Sequence, residues 1–271
     1  MIFVDAHVHI YDNFNLEKFF DNALSNFRKV ANEKSKKNFF FFLLLAESHG
    51  FNYFNRLKEI NKNNNALVQS IGKWSVSLTQ DINSIIINTK DNNEIFLISG
   101  RQVISKEGFE VLALFSNLKI EDGLPIAELL DLIIKVEGLP VIPWGFGKWL
   151  GKRKDCLLKI LNGVKYSNLF LGDNSGRISI IARPKIFNIA EKKGIRILAG
   201  TDPLPLSSEE KRPGSFGFSI KGSITRENPA IDLKQKIINH NSQFESYGKL
   251  ENPLRFMRNQ LAMQVRKKSM F

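Results

Sequence analysis

Two patterns of apolar residues alternate along the 271-residue chain. Apolar residues spaced three and four positions apart place one face of a helix against a core and predict helices. Short apolar runs bounded by polar or glycine-containing segments predict strands. The predicted helices cover residues 15–29, 51–60, 126–136, 155–161 and 184–193, and the predicted strands cover residues 2–4, 39–46, 66–71, 75–78, 85–87, 94–99, 102–105, 110–115, 140–143, 169–171 and 195–199.

The order of these elements predicts an α/β fold. The run at 39–46 has no polar alternation, so it predicts a strand buried on both faces, as in a parallel sheet. The turn at 106–108 predicts a hairpin between the strands at 102–105 and 110–115. Strands that alternate with helices are typical of a barrel or of a large doubly wound sheet. Residues 206–223 are predicted to form a long loop.

The composition fits one large domain, with 43% apolar and 24% charged residues. The longest apolar run, 39–46, is well short of the roughly 20 residues that span a bilayer. The first residues lack the pattern of a signal peptide, and the single cysteine, Cys156, suits a reducing compartment. We therefore expect a cytoplasmic protein with no transmembrane segment.

The net charge of +12 is unusually high for such a chain. A charge of this size is compatible with a polyanionic partner such as nucleic acid, a membrane surface or a phosphorylated substrate. A general bias of the composition toward lysine explains it equally well. Charge alone therefore does not select a partner.

The first strand leads into Asp5-Ala6-His7-Val8-His9, which holds two of the four histidines of the chain. Residues two apart in a strand point to the same side, so His7 and His9 present their imidazoles together. Neutral imidazole is the commonest protein ligand of transition metals, and Asp5 supplies a carboxylate that can orient such a ligand. The pattern predicts a metal site, against the alternative of two ordinary histidines at a strand end.

Further polar groups follow later strands. They are Glu47-Ser48-His49, Gln102, the segment 144–148, Asp173-Asn174 and Thr201-Asp202. In α/β barrels the active site lies at the carboxyl ends of the strands. If these strands share one sheet or barrel, the polar groups meet at one face although the sequence separates them.

Several of these segments, taken in order, resemble motifs of the polymerase-and-histidinol-phosphatase (PHP) superfamily of metal-dependent phosphoesterases. The matching segments are residues 5–9, 43–49, 98–104, 110–114 and 199–202. The resemblance implies a single-domain, distorted (β/α) TIM-like barrel of seven or eight strands over residues 1–223. Residues 224–271 would then form a C-terminal helical extension packed on the barrel. The amidohydrolase superfamily, which also opens with His-x-His and closes with Asp, is the related alternative.

The chain departs from the PHP pattern at four places. Gln102 stands where the family has a metal-bridging Glu, Glu110 where it has a His, and Leu204 where it has the final His. Residues 141–144 replace a segment that usually carries His-Pro. A neutral Gln donates a weaker oxygen and no charge, so a cluster of several ions would lose much of its charge compensation. Gln102 and Glu110 are therefore degenerate ligand positions.

The resemblance implies four metal ligands, and the residue types of two other segments suggest further candidates. The implied metal ligands are His7, His9, His49 and Asp202, holding one or two divalent ions of Zn, Mn or Fe. Asp202, Lys148 and Arg177 are the catalytic candidates. The substrate-binding candidates are Trp144, Lys148, Arg153, Asp173 and Arg177, in segments rich in glycine, aromatic and basic residues.

These assignments predict a metal-dependent hydrolase that attacks a phosphoester with a metal-activated water. The expected substrate is a small anionic molecule, and nucleic acid is the less favoured partner. The alternative, motivated by the departures from the family pattern, is a PHP-fold binding or scaffold protein that has lost catalysis. The sequence does not indicate the oligomeric state.

The C-terminal segment predicts one more helix, which starts near Asn252 and Pro253. Its apolar stripe consists of Leu254, Met257, Leu261 and Val265, with basic residues around it. Such a stripe ordinarily packs against the body of a protein. Binding to a membrane surface or to nucleic acid is the minority interpretation.

Overall fold

A computed structural model describes residues 1–32, 39–60, 71–163, 166 and 168–268 of the chain. The helices there are α1 (Leu16–Asn32), α2 (Tyr53–Ile60), α3 (Ile126–Lys135), α4 (Gly151–Asn162), α5 (Lys185–Lys192), α6 (Pro229–Ile238) and α7 (Pro253–Lys268). The strands are β1 (Ile2–Val8), β2 (Phe40–Leu45), β3 (Ser75–Leu78), β4 (Ser84–Asn88), β5 (Glu94–Ile98), β6 (Gly100–Ile104), β7 (Glu110–Leu114), β8 (Leu139–Pro143), β9 (Phe170–Asn174), β10 (Ile197–Gly200), β11 (Gly217–Ile220) and β12 (Phe244–Tyr247).

The strands form two mixed sheets. The first has the order β12-β11-β1-β2-β5-β4-β3, in which β1, β2 and β5 run parallel and the outer strands are antiparallel. The second has the order β10-β9-β8-β7-β6, with β8, β9 and β10 parallel. No helix separates β3, β4 and β5, or β6 and β7, so the strictly alternating helices of a barrel are missing there.

The predicted TIM-like barrel is therefore wrong, although the α/β class is correct. Neither sheet closes on itself, because the hydrogen-bonded ladder ends at β12 and β3 in one sheet and at β10 and β6 in the other. The antiparallel hairpins replace the βα units on which the barrel expectation rested. They add strands without a crossover helix, and a barrel of parallel strands needs one at each step.

The two sheets face each other across a shared apolar core. Phe42, Leu44 and Ile98 of the first sheet meet Leu112 and Phe170 of the second in this inner core. The opposite face of the first sheet packs on α1 and α2, and that of the second sheet packs on α3, α4 and α5. Residues of β2 alternate between the two cores that flank it, which is why its sequence shows no polar position.

Several local predictions are confirmed. The 39–46 run forms the buried parallel strand β2, and the 102–105 and 110–115 runs form the antiparallel β6–β7 hairpin. The predicted loop at 206–223 is wrong in part, because it contains the 3₁₀ turn Ser207–Glu209 and the strand β11. Most of the predicted strand at 66–71 lies outside the described residues. Among the described residues, no helix is both long enough and apolar enough to cross a bilayer.

Candidate metal centre

A β-bulge turns the histidine pair toward the second sheet. Between Asp5 and Val8, β1 contains one residue more than its partner segment of β2, since Asp5 pairs with Leu43 and Val8 with Leu45. An extra residue of this kind inverts the alternation of side chains along the strand. Before the bulge, even-numbered β1 residues such as Val4 face the inner core; after it, Val8 faces the outer core. His7 is therefore directed to the side where β10 lies.

The close approach of β10 to β1 brings Asp202 to the histidines. Gly200 has no β-carbon, and one placed there would lie 2.6 Å from Cβ of His7. Directly after β10, the backbone N–H of Asp202 donates to the carbonyl of His7 at 2.8 Å. Asp202 itself has φ of 48°, the left-handed region that non-glycine residues rarely adopt. This backbone conformation fixes the carboxylate beside both imidazoles.

Three ligand atoms converge at this point. His7 Nε2 lies 3.0 Å from His9 Nε2, and Asp202 Oδ1 lies 3.5 Å from each of them. Two imidazole lone pairs at 3.0 Å repel each other unless a proton or a cation lies between them. Two ligand atoms that each lie about 2.1 Å from a metal ion, with a ligand–metal–ligand angle of about 90–109°, are about 3.0–3.4 Å apart. The spacing of the three atoms therefore fits one common metal ion.

Two amide side chains complete the surroundings of these ligands. Gln102 Oε1 lies 3.2 Å from His7 Nε2, so the glutamine reaches the group as a neutral oxygen. Asn174, at the end of β9, donates from Nδ2 to Asp202 Oδ2 and to the carbonyl of Trp144, each at 2.9 Å. Asn174 thus holds one carboxylate oxygen and leaves Oδ1 directed at the histidines. From the sequence, Asn174 was expected only as a polar residue at a strand end, without a role of its own.

The local electrostatics favour the forms that bind metal. Burial lowers the pKa of His7, and His9 lowers it further, although Asp202 and Glu110 raise it. A neutral imidazole has the lone pair that a metal requires. Burial by itself would raise the pKa of Asp202, but His7 and His9 in their protonated forms, a hydrogen bond with His9 and the charge of Lys148 hold it well below its usual range. Asp202 is therefore ionised.

Asp5 connects the strands behind the site. Its carboxylate accepts hydrogen bonds from Thr201 N at 2.8 Å, Thr201 Oγ1 at 2.6 Å and Gly214 N at 2.9 Å. The fully buried position nevertheless raises the pKa of Asp5 to about 7. Asp5 therefore positions the turn that carries Asp202, whereas the sequence analysis expected it to orient an imidazole directly.

His49, the fourth predicted metal ligand, is placed differently. It is exposed and lines a separate pocket of about 260 Å³ together with Glu47, Arg101 and Gln102. In the described part of the chain, one group of His, Cys, Asp or Glu side chains is close enough to share an ion. It consists of His7, His9 and Asp202, whose ligand atoms lie within 4.8 Å of one another. The ligation by His49 stays a prediction.

Glu110 and Lys148 form an ion pair near the group. The Lys148 ammonium donates to Glu110 Oε1, and both side chains are partly buried. Lys148 acts on the charge of Asp202, and Glu110 on that of His7. The degenerate ligand position 110 therefore holds a carboxylate that a lysine already neutralises, so the positive charge of Lys148 is only partly available to a substrate.

Three predicted substrate contacts are hydrogen-bonded to other parts of the protein. Arg177 binds Asp173 through two hydrogen bonds of 2.9 and 2.8 Å, with the arginine side chain 7% and the aspartate 12% exposed. Arg153 donates to the carbonyls of Gly108 and Gly147 at 3.5 and 3.2 Å, and so braces the loop before α4 against the β6–β7 turn. Asp173, Arg177 and Arg153 therefore have protein partners, and their substrate roles stay predictions.

A pocket of about 230 Å³ borders Asp202 on the side of α7. Trp144, Lys148, Asn174, Leu204 and Phe256 are among the residues that line it. The predicted residues Trp144 and Lys148 thus share one pocket with the metal-ligating candidate Asp202. The wall from α7 was not foreseen, because 50 residues of sequence separate this helix from Asp202.

No protein-family model matches the chain, and no characterised protein is similar enough in sequence to match it. Its structure is similar to that of PsfC from Pseudomonas syringae PB-5123, with a TM-score of 0.53 and 14% identity over 99% of this chain and 98% of that one. It is also similar to the lesion-specific endonuclease PfuEndoQ from Pyrococcus furiosus, with a TM-score of 0.51 and 14% identity. The likeness is one of fold.

The match to PfuEndoQ covers 91% of this chain and 58% of that one, so the chain spans little more than half of the endonuclease. A second Endonuclease Q structure, a complex with a 27-mer duplex substrate with an abasic lesion at the active site, has a TM-score of 0.48 at 12% identity. The similarity to these solved structures is therefore one of fold, and it assigns the chain to no family.

Proposed function

We propose that the chain is a metal-dependent hydrolase of phosphoesters. The observation that carries this proposal is the convergence of His7 Nε2, His9 Nε2 and Asp202 Oδ1 at 3.0–3.5 Å from one another. Two imidazoles, one carboxylate and the nearby oxygen of Gln102 suit a single Zn, Mn or Fe ion. A second ion would have fewer negatively charged ligands to compensate its charge, because Gln102 is neutral.

A divalent ion in this position supplies a Lewis acid and a water of lowered pKa, which is the chemistry that phosphoester hydrolysis needs. Asp202 gives the site its one negative charge, and Asn174 fixes the direction of that carboxylate. Lys148 adds a positive charge beside Asp202 where an anionic group would enter. Trp144, Leu204 and Phe256 offer apolar surface to the organic part of the substrate.

The substrate proposed first is a small anionic phosphoester that fits the pocket beside Asp202. A nucleic-acid phosphodiester is the other candidate, because PfuEndoQ is a lesion-specific endonuclease and this chain carries a net charge of +12. One observation favours the non-catalytic alternative, a binding or scaffold protein. Lys148 neutralises Glu110 at a position where the PHP resemblance leads us to expect a ligand.

The test is hydrolysis of a substrate panel by protein loaded with Zn, Mn or Fe in turn. The panel comprises p-nitrophenyl phosphate, bis(p-nitrophenyl) phosphate, and single-stranded and duplex DNA oligomers. We expect metal-dependent turnover of at least one of them, abolished in His9→Ala and unchanged in His240→Ala, whose histidine is exposed and remote in sequence. Metal binding without turnover of any of these phosphoesters would favour the binding protein instead.

A further inference from the structure

Helix α7 presents its apolar residues to solvent. Leu254, Met257, Leu261 and Val265 are 83, 58, 59 and 68% exposed. A surface helix of a globular protein ordinarily does the opposite, with its apolar stripe against the core. The expectation that this stripe packs on the body of the protein is therefore wrong, and its exposure requires a different explanation.

The face of α7 that contacts the protein is polar. Arg255 donates to Glu209 Oε1 at 2.9 Å, and Asn259 donates to the same oxygen at 3.3 Å. About two turns beyond Asn259, Arg266 donates to the carbonyl of Pro205. Glu209 is fully buried, so losing the bonds from α7 would leave its carboxylate to Arg212 and remove the partners of Oε1. The helix is thus held in the orientation that exposes the apolar stripe.

The exposed apolar residues form one continuous face. At about 100° of rotation per residue, the four positions fall within an arc of about 80°. Phe256 lies about 140° from the centre of this arc and is not part of the face; its ring contacts Phe146 instead, at 5.3 Å between centroids. Several exposed large apolar side chains side by side are uncommon on a monomeric protein and mark an interaction surface.

The charges on α7 all have one sign. Residues 253–268 contain Arg255, Arg258, Arg266, Lys267 and Lys268, and no Asp or Glu. Arg258 is exposed and lies beside the stripe, about 40° from Leu254 at 100° per residue. An exposed apolar face with an exposed arginine beside it, on a helix without acidic residues, is the pattern of helices that lie in the interface of an anionic bilayer.

We propose that α7 docks on an anionic lipid surface. The stripe would enter the boundary between headgroups and acyl chains, and Arg258 would meet the lipid phosphates and carboxylates. Two other occupants fit less well. A second copy seated through the same helix would bring its own positive charges against these. A nucleic-acid backbone would contact the arginines and leave the apolar stripe in water.

Vesicle co-sedimentation of the full chain tests this docking. The vesicles contain phosphatidylcholine alone or phosphatidylcholine with phosphatidylserine. We expect binding to the anionic vesicles only, reduced at least about tenfold, or about 1.4 kcal/mol, by the double variant Met257→Gln/Leu261→Gln. The matched control, Ile82→Gln/Leu118→Gln, changes two exposed apolar residues elsewhere, at 74 and 44% exposure, and should bind like the unmodified chain.

A second experiment reverses the charge of the arginine beside the stripe and measures the same vesicle binding. Arg258→Glu should weaken binding to the anionic vesicles, whereas Lys90→Glu, in the exposed turn before β5, should not. Absence of binding to anionic vesicles overturns the proposal. So does a dimer in sedimentation velocity that Met257→Gln/Leu261→Gln dissociates, because the stripe would then seat a second copy. Binding to a DNA oligomer that Arg258→Glu abolishes and the glutamine variant retains would assign the face to nucleic acid.

Discussion

Asn174 is the residue that most directly orients the carboxylate of the candidate metal centre. Its Nδ2 atom bridges Asp202 Oδ2 and the carbonyl of Trp144, and its side chain is buried. Outer groups of this kind fix the direction of a metal ligand without contacting the ion. The affinity of the site therefore depends on a residue outside the ligand set.

We predict that Asn174→Ala weakens metal binding by about 10- to 100-fold, because Asp202 loses the hydrogen bond that aligns Oδ1. Competition with a chromophoric chelator measures this affinity. Asn241→Ala removes an exposed amide and serves as the control. A folded Asn174→Ala variant with unchanged affinity would show that the carboxylate needs no such support.

The sequence identified His7, His9 and Asp202 because histidines two apart and an acid after a strand are local patterns. The predicted site residue on this strand was Asp173, whereas the residue that contacts Asp202 is its neighbour Asn174, and the difference has a physical reason. Successive residues of a strand point to opposite sides, and the predicted strand ended at 171 instead of 174. Phe170 lies in the inner core, so alternation through the whole of β9 would have placed Asn174 on the side of the site.

The central contact between elements is the approach of β10 to β1. These strands belong to different sheets, and the glycine at position 200 permits the distance. Together with the bulge in β1, this contact places Asp202 beside His7. The metal centre is therefore built where β10, an edge strand of one sheet, contacts β1, an inner strand of the other.

We predict that Gly200→Ala lowers the free energy of unfolding by about 1–3 kcal/mol, because the added methyl group overlaps His7 and must push the strands apart. Urea denaturation measures this change. Gly163→Ala is the control, since its added carbon would lie 3.4 Å from Ile160 O, at ordinary contact distance. Equal stability of the two variants would mean that β10 has room to move.

Helices and inner strands were predictable because their apolar spacing is local. The pairing of strands was not. Strands β11 and β12 are four residues each and include the polar residues Ser219 and Glu245. β11 pairs with β1 from more than 200 residues away, and β12 pairs with β11. A four-residue pattern does not indicate which strand it pairs with. Because β11 and β12 were not predicted, the remaining alternation of strands and helices resembled that of a barrel.

A buried ionic network joins distant parts of the molecule. Arg212 pairs with Glu209 and Glu251, and it also donates to Ser175 Oγ. Arg255 of α7 pairs with the same two glutamates. The network thus ties α7 to the segment after β10 and to the turn after β9, which both adjoin the candidate pocket.

We predict that Arg212→Ala destabilises the protein by about 3–5 kcal/mol, because two buried carboxylates lose their main partner. Arg183→Ala, which breaks a largely exposed pair with Glu191, should cost about 1 kcal/mol or less. Thermal and urea unfolding compare the two variants. Similar losses for both would mean that water compensates Glu209 and Glu251.

The metal content of the purified protein tests the central claim most directly. Elemental analysis of chain prepared without chelator, or reloaded with Zn, Mn or Fe, should find about one equivalent of ion. His9→Ala should hold less than about a tenth of an equivalent, and the exposed His240→Ala should match the unmodified chain. Less than about a tenth of an equivalent in the unmodified chain after reloading, or full loading of His9→Ala, would contradict the account.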